Sequence, residues 1–255
     1  MQTIRYRNPV KSLLYICIGL ISFLIFVVAF APASTVWSSI REDVHKVAPD
    51  LNIYRVSGTI WNGESEMQFR QFPASLLTWK LSPAGLIRGI AQVQLNAAGQ
   101  GHQVEGDASF TSVAVNINAL HGLINSDYIN EVSEEYGYTF SGDLEFENLS
   151  ISTDWHWITD AKGTANWSGG QILIITPDGP RYVTLPPLEG ELFKQQDQLI
   201  LNITLEKQIL IAITLQKGGW AKVAIKGILF DVADLPLPEG SKPDETILLI
   251  EEKIL

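Results

Sequence analysis

DLEFENLS, residues 143–150, sets Leu144 and Phe146, with Leu149 beyond them, against Asp143, Glu145 and Glu147. Apolar and acidic residues alternating with a period of two predict a half-buried strand, because successive side chains on a strand point to opposite faces. Working outward, the same short runs recur between glycines. Before this stretch they predict strands at Arg55–Trp61, Glu64–Phe69, Ser75–Leu81, Gln92–Ala98, Gln103–Phe110 and Ser112–Ile117. From Thr139–Leu149, which contains the quoted stretch, they continue at Ala161–Trp167, Gln171–Ile175, Arg181–Leu185 and Leu188–Lys194. Gln198–Leu205, Ile209–Gln216 and Ala221–Phe230 complete the series. Asn62-Gly63, Gly169-Gly170, Asp178-Gly179 and Gly218-Gly219 read as hairpin turns, since these residues accept the positive φ such turns require. Hairpins joined end to end predict a mainly β domain, a large antiparallel meander in a curved or groove-like sheet.

Few stretches break the pattern. Asn118–Gly137 is the best helical segment, as one bent helix or two short ones with Ser126 capping Tyr128–Glu135; Leu120, Leu123, Ile124, Ile129 and Val132 form a partial stripe. A helical turn fits Pro83–Arg88. Gly58–Gly63 and Gly163–Gly169 share a Gly-Thr start, a tryptophan and a closing glycine, a weak internal echo. The acidic, proline-containing tail, residues 231–255, reads as extended or mobile up to Glu245. Ile247–Leu255 then suits a short amphipathic helix or a final strand.

The N-terminus obeys different physics. No charged residue occurs between Ser12 and Ser39, and Leu13–Ala31 reads LLYICIGLISFLIFVVAFA. That is the length of a membrane-crossing helix, preceded by Arg5, Arg7 and Lys11. The positive-inside rule then predicts a cytoplasmic segment at 1–11, a transmembrane helix at 12–31 and an exported remainder. A cleaved signal peptide ending at Ala29-Phe30-Ala31 is the alternative. The length of the run and Pro32 just past such a cut weigh against it. Trp37, Ile40, Val44 and Val47 recur at helical spacing, so a juxtamembrane helix is expected within 32–50, with the β-domain at 51–230.

Composition limits the function. The 255 residues carry 18 Lys+Arg against 28 Asp+Glu, a net charge of −10. The three basic residues ahead of the apolar run are its only charges up to Ala31, so the exported part carries −13. That excludes a general nucleic-acid binder, which needs a basic face. The single cysteine, Cys17, excludes an intramolecular disulfide framework and a cysteine-built zinc site. His45, His102, His121 and His156 are scattered. Asp154-x-His156 reads as a turn rather than a catalytic fragment. Glu131, Glu134 and Glu135, like Glu251 and Glu252, read as solvated faces. No nucleophile elbow, phosphate loop, zinc-protease motif, dinucleotide fingerprint or calcium loop is present. The Asn-x-Ser/Thr triplets at 148, 166 and 202 carry weight only in a eukaryotic secretory protein. Trp61, Trp79, Trp155, Trp157, Trp167 and Trp220 either fill a sheet's apolar face or line a groove for acyl chains. No catalytic, cofactor or metal residue is expected.

Val56-Ser57-Gly58-Thr59-Ile60-Trp61-Asn62-Gly63 resembles the strand-turn of the type II secretion system protein N family (general secretion pathway protein N). Leu77-Thr78-Trp79-Lys80-Leu81-Ser82-Pro83, with Leu86 and Gly89 following, resembles that family's next strand. Ser141-Gly142-Asp143-Leu144 and Ala161–Gly169 resemble two later ones. The likeness runs to about Phe230; the tail departs, lacking the family's closing Gly-x-Tyr-x-Leu strands. Gly58, Thr59, Trp61, Gly63, Trp79 and Pro83 are the motif residues, expected to be structural. The resemblance implies a non-enzymatic accessory component of the apparatus that exports folded proteins across the Gram-negative outer membrane. It would sit in the inner membrane with its C-terminal domain in the periplasm, and act through contacts with other inner-membrane secretion components. The strands also resemble those of AsmA-like periplasmic proteins, which implies the alternative of a β-groove that binds or conducts lipid.

Overall fold

A computed structural model describes residues 9–133, 137–176 and 179–253. Arg5, Arg7, Glu134, Glu135, Asp178 and Leu255, and the side chains of Val47 and Val132, lie outside what is described. Two helices open the chain: α1 (Pro9–Ala29) and α2 (Ala33–Val47). Every α1 side chain described, from Leu13 on, is exposed. Among the described residues, no helix is long and apolar enough to cross a membrane.

A meander follows. Its first strands are β1 (Leu51–Gly58), β2 (Asn62–Phe69) and β3 (Ser75–Ser82), then the single turn α3 (Pro83–Leu86), where Pro83 supplies a preset φ. Next come β4 (Ala91–Gly99), β5 (His102–Phe110), β6 (Val115–Ile124), α4 (Ser126–Ser133), β7 (Thr139–Phe140), β8 (Leu144–Thr153) and β9 (Ile158–Trp167). The C-terminal part comprises β10 (Gly170–Thr176), β11 (Gly179–Leu185), β12 (Leu188–Gln195), β13 (Gln198–Leu205), β14 (Gln208–Gln216), β15 (Trp220–Lys226), α5 (Gly227–Val232) and β16 (Thr246–Lys253). Thirteen strands form one antiparallel sheet in chain order, from which β7, β10 and β11 are set apart as a small second sheet ordered β11-β10-β7.

The register sorts side chains by chemistry. One row crosses the large sheet from β2 to β16: Ser65, Leu77, Ala97, Val104, Gly122, Phe146, Ala165, Gly190, Ile203, Ile211, Ile225 and Leu248. A row on the opposite face begins Glu64, Thr78, Asn96, Glu105. One face is therefore largely apolar and the other largely polar, as two-residue alternation requires. α2 lies over the apolar face beside β1, with Val36, Trp37 and Ile40 facing Ile53, Val56, Leu77 and Trp79. The small sheet and α5 cover the C-terminal part, around Val183, Leu185, Leu188, Leu210 and Ala233.

Several expectations give way to long-range pairing. The helix expected from Asn118 is strand as far as Ile124; only α4 is helical. Bulges between Ile117 and Gly122, with Ala119 at φ 51°, break the period of two, so Leu120, Leu123 and Ile124 mimic helical spacing. Leu120 fills the notch over Gly106, where a Cβ would come within 2.8 Å of its Cδ1. Thr139–Leu149 is split between the two sheets. Ala221–Phe230 stops as a strand at Lys226, because the tail binds there: Gly227 and Ile228 donate N–H groups to the carbonyls of Glu245 and Pro243. The chain then turns into α5, whose Ile228, Leu229 and Val232 join the core. Asn62-Gly63 lies inside β2, the turn being Thr59–Trp61. Gly169-Gly170 joins the two sheets instead of closing a hairpin, whereas Gly218-Gly219 does turn β14 into β15. Gly163 sits within β9, so its echo of Gly58 has no structural counterpart. Of the two readings of the tail's end, β16 is the strand.

Candidate functional site

The residues from Gly58 to Gly63 tie α1 to the sheet. Gly58 takes φ 81°, which glycine accepts without strain, and reverses β1. The turn closes on itself: the Thr59 N–H donates to the Asn62 carbonyl (2.8 Å), and the Asn62 N–H to the Thr59 hydroxyl (3.1 Å). Its outer side then satisfies the end of α1. The last four carbonyls of any helix lack intrahelical partners. The Trp61 indole N–H donates to the Val28 carbonyl at 2.9 Å, and the Ile60 N–H to the Ala31 carbonyl at 3.1 Å. Pro32 bridges Thr59. Trp61 and Pro83, the latter exposed at the start of α3, line a groove of about 510 Å³ with Leu24, Ile25, Val28 and Ala29 of α1.

Trp79 locks the turn from inside. Its indole N–H donates to the Ile60 carbonyl at 3.2 Å, and its ring lies over Gly63, where a Cβ would be only 2.3 Å from Cζ2. Gly63 is thus bare so that a tryptophan can pack flat on the strand. All six motif residues meet in this one corner. The Val28 and Ala31 carbonyls belong to it too, but carbonyls have no sequence signature.

The apolar face is the second feature. Among the described residues, only Leu210 of the large side chains is fully buried, whereas Val93, Leu95, Ile117, Leu149 and Ile151 are half-buried. Between the small sheet, α5 and strands β9 to β14 lies a cavity of about 470 Å³. Apart from Glu189 its lining residues are nonpolar, among them Phe140, Trp167, Ile172, Leu201, Ile203 and Leu229. Trp79 and Trp167 line this face, whereas Trp155 and Trp220 are exposed.

Reactive groups are otherwise tied up in structure. Asp154 Oδ1 accepts the N–H groups of Trp157 (2.8 Å) and His156 (3.0 Å), and these bonds, Trp157's foremost, hold its carboxyl below the usual range. Asp154-x-His156 is therefore a turn. Glu251 pairs with Lys222 across β15 and β16 at 2.7 Å. Ser75 Oγ and His102 Nε2 share a 2.7 Å hydrogen bond, which the residues' separation in the sequence hides. Ser75 is only 5% exposed and also bonds Tyr128, whose ring stacks on Phe72 and tilts over His102. A serine sealed in this way is a latch holding α4 to β3 and β5. Among the described residues, no group of acids, histidines and cysteines could hold a metal ion.

No curated protein and no solved structure matches the chain. A family model does: type II secretion system (T2SS), protein N, matching residues 49–235 and so most of the chain, including all six motif residues of the corner. The chain belongs to the type II secretion system protein N family.

Proposed function

We propose that the protein is a single-pass inner-membrane component of a type II secretion apparatus, with residues 1–11 in the cytoplasm and a periplasmic β-domain at 51–230. It assists export of folded proteins by contacts with other inner-membrane components, not by catalysis. Family membership supports the secretion role. The observation that carries the membrane reading is α1 with its corner. Its large apolar side chains are exposed from Leu13 to Val28, and the uncharged run 12–31 has about the 20 residues that a membrane-crossing helix needs. Residues 12–31 are the span, and α2 within 32–50 is the juxtamembrane helix. In this reading Gly58, Thr59, Trp61, Gly63, Trp79 and Pro83 are the joint between span and sheet. The outer strands β1 and β16 and the acidic tail, residues 231–255, are the docking surfaces. Purification in mild detergent from cells making the apparatus should co-isolate other inner-membrane secretion components; intact, monodisperse protein with none of them would count against the proposal.

A second reading, a β-groove that binds or conducts lipid, is favoured by the half-covered apolar face and the 470 Å³ cavity. A lining of this kind favours apolar guests over water. Mass spectrometry of the purified protein should then find phospholipid or fatty acid, and lipid-free protein would remove this reading.

A further inference from the structure

The antiparallel register collects alternate turns of the meander at one end of the large sheet. The pairs Gly58–Gly63, Ser82–Gln92, Ala91–Phe110, Val115–Thr153 and Thr153–Ile158 lie at that end. It is also the end where Trp61 and Pro83 meet α1. The exposed turn residues there include Val113 (70%), Trp155 (57%) and above all Ile87 (89%), the most exposed of the large apolar side chains described.

Ile87 follows α3 directly and is held out by a tied backbone. The Arg88 and Ile90 N–H groups donate to the Gly85 carbonyl, at 2.9 and 3.1 Å, and the Gly89 N–H to the Leu86 carbonyl at 3.0 Å. Gly85 is buried beneath, with no room for a Cβ, which would sit 2.5 Å from the Ile90 oxygen. A turn this well bonded that still extends an isoleucine outward leaves apolar area unburied in water. Pro83, at its start, shares a groove with Leu24 and Ile25, more than one helical turn back from the end of α1 at Ala29. Whatever surrounds that last turn of α1 therefore surrounds this turn of the sheet as well. Exposed Arg88 stands next to Ile87, the arrangement that sets a cation at headgroup level above an inserted apolar tip.

We propose that the turn Pro83–Ile90 is a membrane wedge: Leu86 and Ile87 enter the leaflet in which α1 ends, and Arg88 sits on its lipid phosphates. The proposal rests on the reading of α1 as a membrane span. It fixes how the domain stands, with the Trp61 end of the sheet on the lipid surface and the Lys207 turn, at the far end, away from it.

Full-length protein carrying Cys17→Ser, which removes its one cysteine, tests this in nanodiscs of phosphatidylethanolamine and phosphatidylglycerol. Ile87→Cys, Phe23→Cys and Lys207→Cys are each labelled with an environment-sensitive nitrobenzoxadiazole dye, and quenching by lipids spin-labelled near the headgroup and deep in the chain is measured. The wedge predicts blue-shifted emission at position 87, quenched severalfold more than at 207 and best by the shallow label. Quenching at 23 without quenching at 87 overturns the wedge and leaves the span standing; a protein partner over Ile87 would give that result. No quenching at 23 removes the span and the wedge together. Equal quenching at 87 and 207 overturns the orientation.

Discussion

Two glycines on the apolar side of the sheet are bare for opposite reasons, and the same substitution separates them. At Gly63 a Cβ would lie 2.3 Å from the Trp79 ring and 2.6 Å from the Ser57 carbonyl oxygen. The second of these is backbone, so no side-chain shift relieves it. Gly63→Ala should destabilise by about 1–3 kcal/mol, the usual range for overpacking. At Gly190 the nearest atoms to a Cβ are 3.5 Å away, an ordinary contact, and glycine within a strand costs about 0.5–1 kcal/mol relative to alanine. Gly190→Ala should therefore leave the protein as stable or slightly more so. Denaturation midpoints of the two variants in one detergent check the pair; equal losses would mean that Trp79 does not lock the turn. Tyr128 supplies a pH signal. Burial raises its pKa above the ordinary 10.0, so the unfolded chain ionises first. The latch's contribution is complete below pH 10 and is lost as pH climbs from there through the folded pKa. Tyr128→Phe should cost about 1 kcal/mol at neutral pH through the missing hydrogen bond, yet lose less stability above pH 10. Parallel melting-temperature profiles for the two proteins would refute this.

At the scale of elements, β16 is the telling case. It lies wholly outside the family match, which stops at residue 235, and pairs along the full length of β15, from Trp220–Lys253 to Lys226–Thr246. Removing residues 236–255 would leave β15 as the edge, with Val223 and Ile225 on its apolar side. Exposed apolar edges seek partners. The truncated chain should self-associate in light scattering at concentrations where the full chain does not; a truncated chain that behaves identically shows that β16 protects nothing. The fate of each element also explains what could be read in advance. Strands with no bulge of their own, such as β3, β4 and β13, lie within a residue of their expected limits. β6 was obscured because its bulges destroy the period of two while leaving an apolar count that suits a helix. α5 and the separation of β7, β10 and β11 depend on contacts between distant segments, such as Gly227 with Glu245, which no local pattern encodes. The corner motif was legible as a set of residues. Its role was not, because the atoms it serves are the carbonyls of Val28 and Ala31.

Across the whole molecule, burial is uneven in a way that makes a further prediction. The core cluster runs only from Val183 to Ala233, gathered under the small sheet and α5. The N-terminal strands share the same continuous ladder, but their buried apolar side chains are small, such as Ala108 and Val115. Backbone hydrogen bonding is thus similar in the two halves while apolar burial is not, and local stability follows the burial. Amide exchange followed by mass spectrometry on the full chain should find β12–β14 slowest, β1–β4 faster, and β16 fast as an outer strand. If the half-covered face is a lipid groove, adding long-chain phospholipid should slow β3–β6 selectively, since those strands carry Leu95 and Ile117 on the exposed part of the face. Slowing confined to β12–β14 would instead place the lipid in the 470 Å³ cavity beneath the small sheet. Uniform protection across all thirteen strands would contradict the uneven core. Slower β1–β4 exchange only after other secretion components bind would favour protein docking over lipid as the use of that face.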